Sequence, residues 1–135
     1  MGMRIYNITF DCADARALAT FWSGLTGWHV FHDEDPEVLV APHFPNDGTG
    51  MLFIPVPEGK TAKNRIHLDL APEEGTRDEA MSRAVELGAT VLADHRREDG
   101  GGWVVLADPE GNEFCMEKGV TERGPRPAST FRLGS

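Results

Sequence analysis

Polar and apolar residues alternate along residues 5–11, with Ile8 and Phe10 on one side and Asn7, Thr9 and Asp11 on the other. That period of two predicts a half-buried strand. Asp14 then stands where a helix N-cap is needed, and Leu18, Phe21, Trp22 and Leu25 recur at helical spacing until Gly27 supplies a left-handed stop. Three short strands follow at 28–32, 37–41 and 51–56, separated by the turn formers of 33–36 and 45–48.

After a polar connector at 57–63 the same order restarts: a strand at 65–70, a helix at about 76–87, and strands near 89–93, 103–107 and 113–117. Thr76 and Glu79 have the spacing of a capping box; Met81, Ala84 and Val85 form the stripe expected to be buried, and Gly88 ends the helix as Gly27 did. A shift of 60 residues lays Asn7 on His67, Ile8 on Leu68, Thr9 on Asp69 and Phe10 on Leu70. Polar matches polar and apolar matches apolar, so the chain is an internal repeat.

The pattern predicts an α+β fold of two tandem βαβββ modules, about 3–57 and 64–118, forming a curved mixed sheet with a concave cleft in one domain of residues 1–118. Residues 119–135, rich in Gly and Pro, read as an extended or loose tail that Phe131 and Leu133 could anchor. The connection 99–102, with three successive glycines, reads as a flexible segment and a candidate lid. It precedes a strand rather than opening a helix, so it is no phosphate loop.

Charge narrows the class of partner. Thirteen Lys plus Arg against 22 Asp plus Glu, a formal charge of -9, disfavour nucleic acid and anionic membrane surfaces. The start of the chain leads straight into a strand pattern, and no apolar run is long enough to span a bilayer, so a cytoplasmic location is expected. Cys12 and Cys115 are the only cysteines and form no C-x-x-C pattern; both are expected to be reduced.

Alternation also says where chemistry can sit. The side carrying Ile8, Phe10, Leu68, Leu70, Phe114 and Met116 packs on helices, so the opposite side gathers Asn7, Thr9, Asp11, His67, Asp69, Glu113, Cys115 and Glu117 as candidate ligand-binding residues. Trp103, and less directly Trp28, begin strands from which an aromatic face could line the cleft, whereas Trp22 belongs to the helix stripe. His67 is the candidate general base, since a histidine titrates near neutrality and adjacent carboxylates can tune it. His29, His32, His43 and His95 fall on turns or exposed strand positions, and Cys115, with no cation near in sequence, reads as packing.

The stretch Phe21-Trp22-Ser23-Gly24-Leu25-Thr26-Gly27-Trp28 resembles the helix-to-strand junction of the vicinal oxygen chelate superfamily. Asp108-Pro109-Glu110-Gly111-Asn112-Glu113-Phe114 resembles its terminal hairpin, and Asn64-Arg65-Ile66-His67-Leu68-Asp69-Leu70 the opening strand of the second module in glyoxalase-like domains. The resemblance covers residues 3–118 and implies that a metal-dependent member would place its ligands on the first and last strands of each module. Those positions here read Asn7, approximately Ile54, His67 and Cys115, which lack the nitrogen and carboxylate donors of a standard zinc, nickel or iron centre. No cofactor is therefore expected; a divalent metal would need a displaced site of His67, Asp69 and Glu113 or Glu117.

The resemblance leaves three readings. One is a metal-free cleft that binds a small organic molecule, similar to the sequestering proteins of the bleomycin-resistance branch. The alternative is a glyoxalase-type isomerase, lyase or hydrolase using His67 and its neighbouring carboxylates, with or without a displaced metal. The third is a partner-binding domain with a vestigial cleft. By analogy with the superfamily the chain is expected to be a homodimer whose cleft is completed by a second copy.

Overall fold

Each module begins with a strand and a capped helix, and the caps form as the residues require. The Asp14 carboxylate accepts from the Ala17 N–H at 3.1 Å, which starts α1 (Ala15–Thr26). Gly27, at φ 76°, ends it by donating to the Ser23 carbonyl. Thr76 and Glu79 form the reciprocal capping box of the second helix, Arg77–Leu87. The computed structural model describes residues 1–32 and 36–123; the turn at 33–35 and the tail beyond 123, with Phe131 and Leu133, lie outside the described residues.

The elements run β1 (Asn7–Cys12), α1, β2 (His29–His32), β3 (Val38–Ala41) and β4 (Gly50–Pro55). The second module gives β5 (Asp69–Leu70), α2 (Arg77–Leu87), β6 (Thr90–Asp94), β7 (Trp103–Ala107) and β8 (Glu113–Glu117), followed by a short α3 (Val120–Arg123). The strands form two four-stranded mixed sheets with the same order, β1-β4-β3-β2 and β5-β8-β7-β6. In each, the first strand runs parallel to the last, setting Asn7 opposite Gly50 and Asp69 opposite Cys115.

Two expectations change here. The single combined sheet is replaced by two sheets joined through packing, because period-two alternation reports which face is buried and not which backbone edge is paired. The strand expected at 65–70 is paired only at Asp69 and Leu70, with one further bond from the Cys115 N–H to the Leu68 carbonyl. Upstream, the Asn64 side chain donates to the Glu113 carbonyl and its N–H to the Glu113 carboxylate, taking up acceptors at the end of β8.

The core lies between the modules. Leu18, Phe21 and Trp22 from α1 are buried with Val40, Phe53, Val104, Leu106 and Phe114 from both sheets. Trp22 and Phe21 meet the Phe114 ring edge-on, with centroids 5.0 and 6.1 Å away. Burying a side chain such as Phe114 contributes roughly 1.5–3 kcal/mol, so removing this contact loosens one module from the other. Val85, expected in the stripe of α2, is instead half exposed, and Ala84 alone of that trio is fully buried. The helices cross where Gly24 leaves clearance for Leu87, whose side chain would lie 2.9 Å from an added Cβ.

The 99–102 connection is fastened rather than free. The buried Arg77 guanidinium donates to the carbonyls of Gly102 and Gly100, at 2.8 and 3.3 Å. Gly102 has φ 81°, and a Cβ there would stand 2.0 Å from the His95 carbonyl oxygen. Composition suggested a lid; a charged side chain two elements away makes it a fixed turn. The start of the tail is also docked: Glu122 accepts from the N–H groups of Arg77 and Gly119, and Val120 donates to Pro72.

Candidate functional site

The outer face of the second sheet forms a groove of about 670 Å³. Its polar end is built by β5 and β8, which contribute His67, Asp69, Glu113, Cys115 and Glu117, with Lys63 from the connector. Its apolar end is built by β6 and β7: Leu92, Ala93, Trp103 and Val105, with His95 beyond the strand. Six of the expected site residues, His67, Asp69, Trp103, Glu113, Cys115 and Glu117, thus converge as the alternation predicted.

Asn7, Thr9 and Asp11 do not join them. They lie on β1 in the other sheet and do not line this groove. Asn7 covers Gly50, where an added Cβ would come within 3.0 Å of its Oδ1. The repeat brought Asn7 and His67 to equivalent places in their own modules; equivalence is not proximity. Trp28 packs against the core and is also absent from the groove lining.

At the polar end, His67 Nδ1 stands 3.4 Å from Asp69 Oδ1 and 3.8 Å from Cys115 Sγ. Direct pairing of Asp69 with Cys115 across the parallel ladder puts their side chains on one face, and His67 precedes Asp69 by two. The potential ligand atoms of the three lie within 4.8 Å of one another, so an imidazole, a carboxylate and a thiol could hold one metal ion between them. Cys115, read from sequence as packing, is the third member, in place of Glu113 or Glu117. Burial, then the Asp69 carboxylate, raises its thiol pKa above the ordinary value, so the sulfur stays protonated in the free protein.

Glu113 is engaged elsewhere. It pairs with Lys60 Nζ at 2.8 Å, and that contact, with the Asn64 N–H, holds its carboxyl below the usual range. It is a fixed, neutralised carboxylate rather than a general base. Glu117 sits opposite Trp103 across β7 and β8. The Trp103 ring, 41% exposed, lies 5.0 Å from the His95 ring with 36° between planes, a ready-made aromatic platform.

Several lining residues escaped the sequence reading. Val105 was legible, since it alternates with the buried Val104 and Leu106. Leu92 and Ala93 were not, because a register shift between Val91 and Ala93 breaks the period of two and brings neighbouring residues to the same groove. His95 was set aside as a turn residue, and only the fold brings it to Trp103.

This two-module architecture can be compared with known proteins. The glyoxalase-like domain family matches residues 7–117. The chain belongs to that family. No curated protein sequence matches it. Among solved structures, a glyoxalase/bleomycin resistance protein/dioxygenase family enzyme from Burkholderia phytofirmans PsJN is similar, with 17% identity, 84% of this chain and 97% of that chain covered, and a TM-score of 0.64. The fosfomycin resistance protein of Mesorhizobium loti shows 17% identity, coverage of 90% and 96%, and a TM-score of 0.65. A Listeria monocytogenes fosfomycin resistance protein, solved with Mn(II) and 1S,2S-dihydroxypropylphosphonic acid, shows 16% identity, coverage of 91% and 94%, and a TM-score of 0.65.

At such identities the solved structures establish the fold of this glyoxalase-like chain and leave its chemistry to its own residues. The resemblance read from the junction, hairpin and opening-strand motifs therefore holds at the level of family and architecture. Within the glyoxalase-like frame the Asp108–Asn112 turn has a local task. Glu110 accepts from the N–H groups of Ala13 and Asp14, and Asp108 from the Trp22 indole, so the turn clamps the second module onto the start and middle of α1. Among the described residues no helix is long and apolar enough to cross a membrane.

Proposed function

We propose that this glyoxalase-like protein binds a small, flat organic molecule in the groove of its second sheet. The observation that carries the reading is the division of that groove into an aromatic and aliphatic end, Trp103, His95, Val105 and Leu92, and a polar end, His67, Asp69 and Cys115. Apolar walls with a few convergent polar groups are the usual design of a small-molecule site. Stacking on Trp103 would supply area, and the polar end would fix orientation.

The experiment is thermal unfolding with a panel of flat heteroaromatic cations, anions and neutral compounds, followed by titration of tryptophan fluorescence with any stabilising member. Saturable binding that quenches fluorescence, and that weakens at least about tenfold in Trp103→Ala, supports the groove. A panel that leaves the melting temperature unmoved, or binding unaltered by Trp103→Ala, would overturn it.

One contact favours an enzymatic version of the same reading. With Nδ1 of His67 turned toward Asp69 at 3.4 Å, Nε2 is the nitrogen left to take a substrate proton. Turnover of a groove ligand that is lost in His67→Ala while binding persists would place the chain among the enzymes of the family; binding without turnover would place it among the sequestering members.

A further inference from the structure

We infer that His67, Asp69 and Cys115 form a binding site for one zinc-type divalent ion, with a fourth coordination position open to the groove. The inference deepens the small-molecule reading, since the ion would form the polar end of that same groove. Its basis is geometric. Bonds of ordinary length around a tetrahedral zinc put imidazole nitrogen and carboxylate oxygen about 3.3 Å apart, and nitrogen and thiolate sulfur about 3.6 Å apart. The corresponding separations here are 3.4 Å and 3.8 Å, so an ion would need little movement of the donors.

Backbone pairing holds the arrangement in place. Asp69 and Cys115 are direct partners in the β5–β8 ladder, and Cys115 is buried, while the side chains of His67 and Asp69 stay 42% and 55% exposed. The exposed flank is the groove, which is where an open position would admit water or a ligand heteroatom. Charge closes as well: one carboxylate and one thiolate balance a divalent ion, the thiol proton passing to solvent as the ion binds. A thiolate beside an imidazole selects zinc over manganese, which prefers oxygen donors.

The first module carries no copy of this site. Register places Thr9 and Leu52 where the second module has Asp69 and Cys115, and Asn7 where it has His67. The donors implied by family resemblance on four strands thus reduce to two here, His67 and Cys115. Asp69, which that resemblance does not single out, completes the set. Glu113 is not a donor because Lys60 occupies it at 2.8 Å.

The test is a titration of chelator-treated full-length protein with Co(II), read by absorption. One equivalent should bind, with visible bands of tetrahedral intensity and a near-ultraviolet thiolate-to-cobalt charge-transfer band, and Zn(II) should abolish both signals. Cys115→Ser should lose the charge-transfer band. Asp69→Asn and His67→Ala, which alter exposed side chains, should each weaken Co(II) binding at least about tenfold and carry the test if the buried cysteine cannot be replaced without unfolding. Cobalt binding without the thiolate band, affinities unmoved in both exposed-site variants, or Mn(II) binding as tightly as Zn(II) would overturn the assignment. Titrating the same metal-free protein with a groove ligand separates the two readings: ligand bound through Trp103 with no ion bound defeats the metal site alone, whereas loss of both defeats the groove.

Discussion

The Trp22 indole N–H donates to Asp108 Oδ2 at 3.0 Å, joining the helix of the first module to the turn of the second across 86 residues of sequence. Both partners are buried, Asp108 at 3% exposure, and the carboxylate also accepts from the backbone of Glu110 and from Asn112. Trp22→Phe removes one donor and is expected to cost about 1–3 kcal/mol. Asp108→Ala strands several donors at once and should cost more, about 3 kcal/mol or above. Urea midpoints of the two variants check the order; equal midpoints would show that the turn does not act as the clamp.

Gly102 is expected to be the least replaceable glycine of the groove rim. A methyl group there meets the His95 carbonyl at 2.0 Å and the residue has φ 81°, so Gly102→Ala should destabilise by more than about 2 kcal/mol. Gly59→Ala, where an added Cβ finds nothing within 4 Å, serves as the silent comparison. Thermal unfolding of both proteins measures the difference, and parity between them would mean that the turn is a lid after all.

Cys12 makes stability depend on alkaline pH. Burial, reinforced by Glu110, raises its thiol to about 11 from an ordinary value of 9.0. The unfolded chain therefore releases this proton first as pH rises, so the stabilisation is complete below about pH 9 and is lost between 9 and 11. Denaturant midpoints across that window should fall by a contribution on the order of 2 kcal/mol that Cys12→Ala lacks. Parallel slopes in the two proteins would refute the assignment.

Sedimentation should report a homodimer, at twice the 14.8 kDa of one chain. Ile5 and Tyr6, just before β1, and Ile66, just before β5, are 70%, 67% and 81% exposed, large apolar side chains beside two strands at sheet edges. Replacing Tyr6 and Ile66 by serine should shift the mass to that of one chain with the fold intact. A wild-type protein that sediments as a monomer at micromolar concentration would defeat this expectation.

Local order was readable before any coordinates. The alternation of Ile8 and Phe10 with Asn7 and Thr9, the caps at Asp14, Thr76, Gly27 and Gly88, and the 60-residue repeat all depend on interactions within one strand or one helix, and the sequence alone determined them. The same parity predicted that His67, Asp69 and Cys115 share a face, because side-chain direction along a strand follows from the backbone itself. Long-range choices needed the tertiary structure. It decided that the strands form two sheets, that Asn7 stays away from the groove, that Arg77 fixes the glycine turn and that a register shift turns Leu92 and Ala93 into one lining. Those outcomes depend on which edges pair and which distant groups meet, and periodicity carries no information about partners far along the chain.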